Sequence, residues 1–228
     1  MVAHINPSLP HQVEHGQALY YGLKRHGIDL DVTEDIYKAG DIHIVSGPWY
    51  ALDVWKGKPN VLWLDRCFYG DSHDFVSIGW LKPDGSRDFR NCDKPAKGEL
   101  PELKPVKKRR RCAVVFGDYG RDPHPELKLA RQKFDSVWYR PHPQDKGPHP
   151  CFPLRGCLED VWSIADVAVG HSSTVLIDAE INGLHVISTD PRHVVNHYTD
   201  REDWLRELSW KQWSLAEISN GAFWEHLC

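Results

Sequence analysis

The chain has 228 residues, 41% hydrophobic and 26% charged, an ordinary globular composition that excludes a disordered or fibrous protein. A formal charge of −4 excludes a general nucleic-acid coat but leaves room for a local basic face. The length suits one large domain or two small ones. Ten Trp and eight Tyr against one Met supply flat amphipathic side chains that fill cores or stack on sugars and bases. Cys67, Cys92, Cys112, Cys151, Cys157 and Cys228 form no CxxC pair, so reduced thiols in a cytoplasm are expected. MVAHINPSLP opens without a basic start or an apolar run, and no stretch reaches the roughly 18 apolar residues of a membrane span. A soluble, cytoplasmic protein with no membrane contact is the expectation.

In chain order, Val13, Ala18, Leu19 and Leu23 share one helical face before a stop at Gly27, and Ile28, Leu30 and Val32 then alternate as a strand. DIHIVSG (41–47) reads as a second strand, PWYALDVWKG as a helix opened by Pro48, and NVLWLD (60–65) as a third strand. Strands alternating with helices predict a parallel sheet, whose functional residues gather at the strands' carboxyl ends, here Ser46–Gly47 and Asp65–Arg66. Between 66 and 105 the pattern lapses, with only VSIGWL strand-like. ELPELKPVKKRRR (99–111) is Pro-spaced and then basic, and reads as a domain boundary.

The second half runs strand CAVVFGDYG (112–120), helix PELKLARQKF, strand SVWYRP, helix LEDVWSIA, and then VAVGHSSTVLIDAEINGLHVIS (167–188). Val167–Gly170 is a buried strand, Val175, Ile177, Ala179 and Ile181 have helical spacing, and Gly183 stops that helix before the strand His185–Ser188. This βαβ unit predicts parallel strands. Ser172, Ser173 and Thr174 begin its helix, where hydroxyls and unpaired N–H groups suit a phosphate oxygen; equally, one of them simply caps the helix.

The stretch resembles the donor half of sugar-nucleotide-dependent transferases of the GT-B fold, particularly the capsule, polysialyl and glycerophosphate transferase groups, which carry a pattern like S-S-T-x-x-x-E-A-x-x-x-G-x-P-V-I. Ser172, Ser173, Thr174, Ala179, Gly183, Val186 and Ile187 match it, while Asp178 replaces Glu and His185 replaces Pro. DSVWYRPHP (135–143) resembles the strand-end H-P motif of the same groups, and KQWSLAEISNGAFWEHL (211–227) resembles the closing helical segment of short phage and bacterial glycosyltransferases. The resemblance implies an α/β protein of two Rossmann-like parallel-sheet halves facing across a cleft in a compact GT-B arrangement. Residues 1–104 would be the acceptor side and 105–228 the donor-binding side. It implies a glycosyltransferase using a nucleotide-sugar donor, a UDP-sugar favoured, with no obligatory metal.

For the donor grip the candidates are His142, Ser172, Ser173 and Thr174, with Arg140 or Arg121 adding a charge-assisted bond, Gly117 in the FGDYGRD turn permitting close backbone approach, and Asp178 in the position implied to bind ribose. For the base that takes the acceptor's proton, the first half offers Asp71, Asp65 and His15, His15 being read as preceding the first helix. Zinc on His142, His149, Cys151 and Cys157 is the rival use of those residues, but their spacing fits no known finger. For the acceptor, the resemblance to short phage enzymes implies a hydroxymethylated pyrimidine in double-stranded DNA. Lys107, Lys108, Arg109, Arg110 and Arg111 would then meet phosphates, and Trp49, Trp63, Phe68, Tyr69 or Trp80 would stack on a flipped base. The alternatives are a surface-polysaccharide precursor as acceptor, glycerol phosphate as the transferred group, and a catalytically silent nucleotide-sugar-binding module.

Overall fold

The structure is a computed structural model and describes residues 1–6, 8–35, 37–46, 52–70, 74–89 and 94–228. The chain divides into two compact units, Met1–Leu100 with Leu205–Cys228, and Pro101–Trp204.

Unit 1 is built on a mixed sheet. Among the described residues its strands are β1 (Val2–His4), β2 (Asp31–Thr33), β3 (His43–Ser46), β4 (Val61–Arg66), β5 (Phe75–Leu81), β6 (Arg87–Asp88) and β11 (Gln212–Ser214), in the order β2-β1-β3-β4-β5-β11 with β6 also on β5. β1 to β4 pair in parallel, and β5 runs antiparallel to β4, β6 and β11. The parallel part was expected from the strand and helix alternation. β1 was not, because it is short and central, and all three of its residues are buried; a strand covered on both faces shows no alternation to read. Helix α1 (Pro10–Arg25) starts at its proline, so His15 lies inside the helix and not before it.

The closing segment belongs to unit 1, which corrects the division at 104/105. β11 adds to β5, and helices α7 (Leu215–Ser219) and α8 (Ala222–Leu227) follow it. Trp213, Ile218, Phe223 and Leu227 enter one core with Leu19, Leu23, Leu62 and Ile78. Polar groups fix this return of the chain. The buried Gln212 accepts from the Phe68 and Tyr69 amides at 2.8 and 3.2 Å and donates to Tyr69 O at 3.1 Å. Ser214 and Glu217 form a capping box at the start of α7, and Lys97 pairs with Glu217 at 3.1 Å while lying over the Trp213 ring. The interface between α1 and α7 is a backbone contact: a Cβ at Gly22 would stand 1.9 Å from the Ile218 carbonyl oxygen.

Unit 2 carries a four-stranded sheet of β7 (Cys112–Phe116), β8 (Ser136–Arg140), β9 (Val167–Gly170) and β10 (His185–Ser188), all parallel, in the order β10-β9-β7-β8. From Ala113 to Phe116, β7 is buried on both faces. Val114 and Phe116 pack with Val161, Leu176 and Ala179 of helices α4 (Leu158–Ile164) and α5 (Val175–Ile181). Ala113 and Val115 pack on the other face with Leu127 and Ala130 of helix α3 (His124–Lys133). Helices on both faces are what a parallel sheet requires. These strands and helices fall where the sequence places them, except that β7 ends at Phe116, short of the expected Gly120; the helix Arg201–Ser209 was not expected.

The Pro-spaced tract is not a free linker. Lys104 N donates to Ile181 O at 2.9 Å and Lys107 N to Gly183 O at 2.8 Å, and a Cβ on Gly183, which has φ 76°, would stand 2.3 Å from Pro105 O. Residues 101–111 are therefore part of unit 2. Among the described residues no helix is long and apolar enough to cross a membrane, and Cys112, Cys151 and Cys157 are free thiols.

Gly22→Ala is expected to destabilise unit 1 by at least about 2 kcal/mol, because the added methyl meets a backbone oxygen that must move with all of α7. Urea unfolding followed by Trp fluorescence measures this. Arg25→Ala, at an exposed position of the same helix, should change stability by less than about 0.5 kcal/mol.

Candidate functional site at the carboxyl edge of the second sheet

The chain makes β7, moves outward to β8, and then returns to place β9 on the opposite side of β7. The loops after β7 and β9 therefore lead to helices on opposite faces of the sheet, and the crevice at such a reversal is where open parallel sheets bind ligands. Gly117 and Asp118 leave β7, and His171 to Thr174 leave β9. The two loops are joined by Asp118, whose Oδ2 accepts from the Ser172 amide at 2.9 Å and from the Ser172 hydroxyl at 2.8 Å. The expected phosphate position at Ser172 is thus met by the chain's own carboxylate.

Ser173 and Thr174 remain open. Thr174 precedes α5 without a side-chain cap bond, so capping does not account for these hydroxyls, and among the described residues neither has a hydrogen-bond partner. The loop after β10 holds Ser173 in place. The Val195 amide donates to Nδ1 of His193 at 3.3 Å, which leaves the His193 proton on Nε2, donated to Ser173 O at 3.2 Å. Burial lowers the His193 pKa and keeps the ring neutral. Asp190, two residues past the strand, is gripped by Arg192 through its amide and Nε, at 2.9 and 3.1 Å. Burial alone would raise its pKa, but the bonds and charge of Arg192 outweigh that and keep it below the usual carboxylate value.

A second polar group lies under the same edge. Glu126, in the first turn of α3 and only 2% exposed, accepts through Oε1 from Arg121 Nη2 at 3.2 Å and from the Thr189 hydroxyl. His171 Nδ1 lies 2.9 Å from the same hydroxyl oxygen and 4.0 Å from Glu126 Oε1. The expected donor residues are thereby sorted. Arg121 is committed to Glu126. Arg140 Nη2 turns to Gly156 O at 2.9 Å, while its own carbonyl accepts from the Gly117 amide. Gly117 is required because a Cβ there would stand 2.5 Å from the Tyr139 hydroxyl. His142 accepts at Nδ1 from the Gln144 amide at 3.2 Å and lies beside the Tyr119 ring, centroids 5.6 Å apart. Asp178 is half-buried on α5, and burial pushes its carboxyl up to about 6.

Of the expected bases, Asp71 lies outside the described residues. Asp65 is exposed at the end of β4 and accepts from the Arg66 amide at 2.8 Å. His15 is 5% exposed, neither ring nitrogen has a partner among the described residues, and burial lowers its pKa to about 4. It is a neutral helix-face residue of unit 1 and a weak base. The nucleic-acid set also changes. Lys107 Nζ donates to Trp162 O and Ala165 O, both at 2.6 Å, and so closes the carboxyl end of α4. Lys108, Arg109, Arg110 and Arg111 are exposed, Arg111 with a loose pairing to Asp135 at 3.9 Å. Trp63 and Phe68 are core residues, Trp80 donates to Leu227 O at 3.2 Å, and Trp49 lies outside the described residues, so Trp63 and Phe68 cannot stack on a flipped base without opening unit 1.

Asp118, Glu126, His171, Thr189, Asp190 and His193 were missed by sequence reasoning, although FGDYG and GHSST both contained members. Asp118, His171, Thr189 and Asp190 carry the signal of position just past a strand, whereas Glu126, in the first turn of α3, and His193, in the loop beyond Asp190, carry none. Unit 1 has a feature of its own, a groove of about 740 Å³ between α1 and β2 lined by Gly16, Tyr20, Tyr21, Val32, Glu34 and Asp35.

No protein-family model matches the sequence, and no curated protein matches it. Among solved structures, the chain is similar to Thermosulfurimonas dismutans KpsC, a beta Kdo 2,7 transferase, with a TM-score of 0.54 at 14% identity over 97% of each chain. It is also similar to the beta Kdo 2,4 transferase of the same KpsC, with a TM-score of 0.51 at 11% identity over 97% of each chain. At these identities the likeness is one of fold, and it extends over both units.

The Asp178 carboxyl gives this site a pH signature. Its folded-state pKa of about 6 lies above the ordinary 3.8, so the folded state holds the proton more tightly, and the stability this provides below pH 3.8 is lost as pH rises through 6. Asp178→Asn should therefore raise the melting temperature relative to wild type at pH 8 and leave it nearly unchanged at pH 4, as thermal melts at both pH values would read.

Proposed function

We propose that the protein is a glycosyltransferase that binds a nucleotide-activated sugar at the carboxyl edge of the unit 2 sheet and passes the sugar to a hydroxyl of a saccharide. The observation that carries the reading is the convergence of the β7, β9 and β10 loops on one polar crevice at the strand-order reversal, in a chain whose fold resembles that of Kdo transferases over 97% of its length. Transfer requires a grip on the leaving phosphate and an acceptor for the incoming proton. The hydroxyls of Ser173 and Thr174 suit phosphate oxygens, and Arg192, half-exposed beside Asp190, brings positive charge to the same edge. The Asp118 carboxylate would repel a phosphate and suits a sugar hydroxyl. Asp178, on the exit helix of the same crevice, suits a ribose hydroxyl.

A saccharide acceptor is favoured over DNA by charge. The unit 1 groove offers the faces of Tyr20 and Tyr21 for stacking, and the carboxylates of Glu34 and Asp35 accept bonds from sugar hydroxyls but repel a phosphate backbone. The four exposed cations at 108–111 are what remains in favour of a nucleic-acid acceptor. No metal enters the proposed chemistry.

The test is transfer of label from a panel of nucleotide-activated sugars, Kdo among them, to oligosaccharides and to hydroxymethylpyrimidine DNA. The expected result is transfer to an oligosaccharide that tolerates salt; transfer to DNA alone, falling steeply with salt, would replace the acceptor reading, and saturable donor binding without turnover would leave a binding module. Ser173→Ala should raise the donor KM about ten- to a hundredfold, the cost of a lost hydrogen bond to a charged oxygen at about 1.5–3 kcal/mol. Tyr21→Ala should raise the acceptor KM alone.

A further inference from the structure

The proton positions around Thr189 follow from bonding capacity. Glu126 Oε1 accepts from Arg121, which can only donate, so Oε1 is an acceptor. Thr189 has one hydroxyl proton and gives it to that oxygen. Its Oγ1 is then left to accept, and His171 Nδ1 at 2.9 Å must be the donor. The neutral ring of His171 therefore carries its lone pair on Nε2. Among the described residues Nε2 has no partner, and the side chain is 23% exposed at the first position past β9. His193 differs, since both its nitrogens are bonded within the protein.

We propose that His171 is the proton-accepting group of this site, with Thr189 and Glu126 as positioning residues; the proposal rests on the transfer reading above. As the acceptor oxygen attacks the anomeric carbon, its proton passes to His171 Nε2. The bond from that carbon to the donor phosphate breaks, and the nucleotide leaves with the electron pair. The imidazolium formed is balanced by the Glu126 carboxylate through Thr189, and its proton is later lost to solvent. The other charged or titratable groups about the ring are Arg121 on Glu126, Asp118 on the neighbouring Ser172, and Asp190, Arg192 and His193 after β10. None of them occupies Nε2.

The experiment measures kcat/KM against pH at saturating donor for wild type and four variants, with thermal melts to confirm folding, and follows the His171 ring by 15N NMR. Wild type should show an activity limb that rises with pH, and an Nδ1–H ring. His171→Gln should lose at least about a hundredfold and the limb with it. Thr189→Ser keeps the hydroxyl and should stay within about threefold of wild type, whereas the isosteric Thr189→Val should lose about tenfold or more. In Thr189→Val and Glu126→Gln the limb should move to lower pH, because the imidazolium loses its balancing charge. An Nε2–H ring in wild type, or a folded His171→Gln variant with near-wild-type transfer, overturns the proposal while leaving the transferase reading standing. Losses in Thr189→Val that follow its melting temperature with an unmoved limb overturn the relay. Wild type that transfers no sugar to any acceptor overturns the transfer reading and this proposal with it.

Discussion

The pairing of β9 with β7, on the side opposite β8, is the constraint on which the second unit depends. Two strands far apart in sequence thereby become neighbours, and their loops meet over one crevice. The Asp118 to Ser172 bonds join residues 54 apart in the chain, and the His171 to Thr189 to Glu126 series spans 18 and 63 residues. Each link is short because the strands are parallel and their carboxyl ends fall on one edge. A sheet with β9 beyond β8 would separate the same residues and leave Glu126 buried with no hydroxyl to bond.

The edge is charged in a way that divides its labour. Buried carboxylates sit beside donors that answer them: Glu126 with Arg121 and Thr189, Asp190 with Arg192. A buried carboxylate without such partners would take up a proton, as Asp178 does at a pH well above the ordinary range. Above these pairs stand groups with unspent hydrogen-bonding capacity, the hydroxyls of Ser173 and Thr174 and the Nε2 lone pair of His171. Such unspent capacity beside satisfied supports is what a binding site requires, because a ligand then gains bonds without breaking those that hold the loops.

Unit 1 depends on the return of the chain. β11 continues its sheet, and α7 approaches α1 so closely that only glycine fits at position 22. Two aromatics of this unit are spent on that junction: Trp213 is buried in the shared core, and Trp80 donates to the Leu227 carbonyl. The exposed aromatic surface of the groove comes instead from Tyr20 and Tyr21 on α1.

The sequence by itself determined the local elements of the second half and the class of the fold. The apolar runs of Ala113 to Phe116 and Val167 to Gly170 and the glycine stop at Gly183 are local signals, since a strand covered on both faces reads as a continuous apolar run and helical burial repeats every 3.6 residues. Position just past a strand also pointed to Ser172–Thr174. Only the tertiary structure decided that Lys107 closes α4 instead of meeting phosphates, that His15 is buried within α1, that the closing segment joins the first unit, and that His171 presents Nε2. These are outcomes of pairing between distant segments. Periodicity records which face of an element is buried, but not which element buries it or which distant oxygen takes its proton.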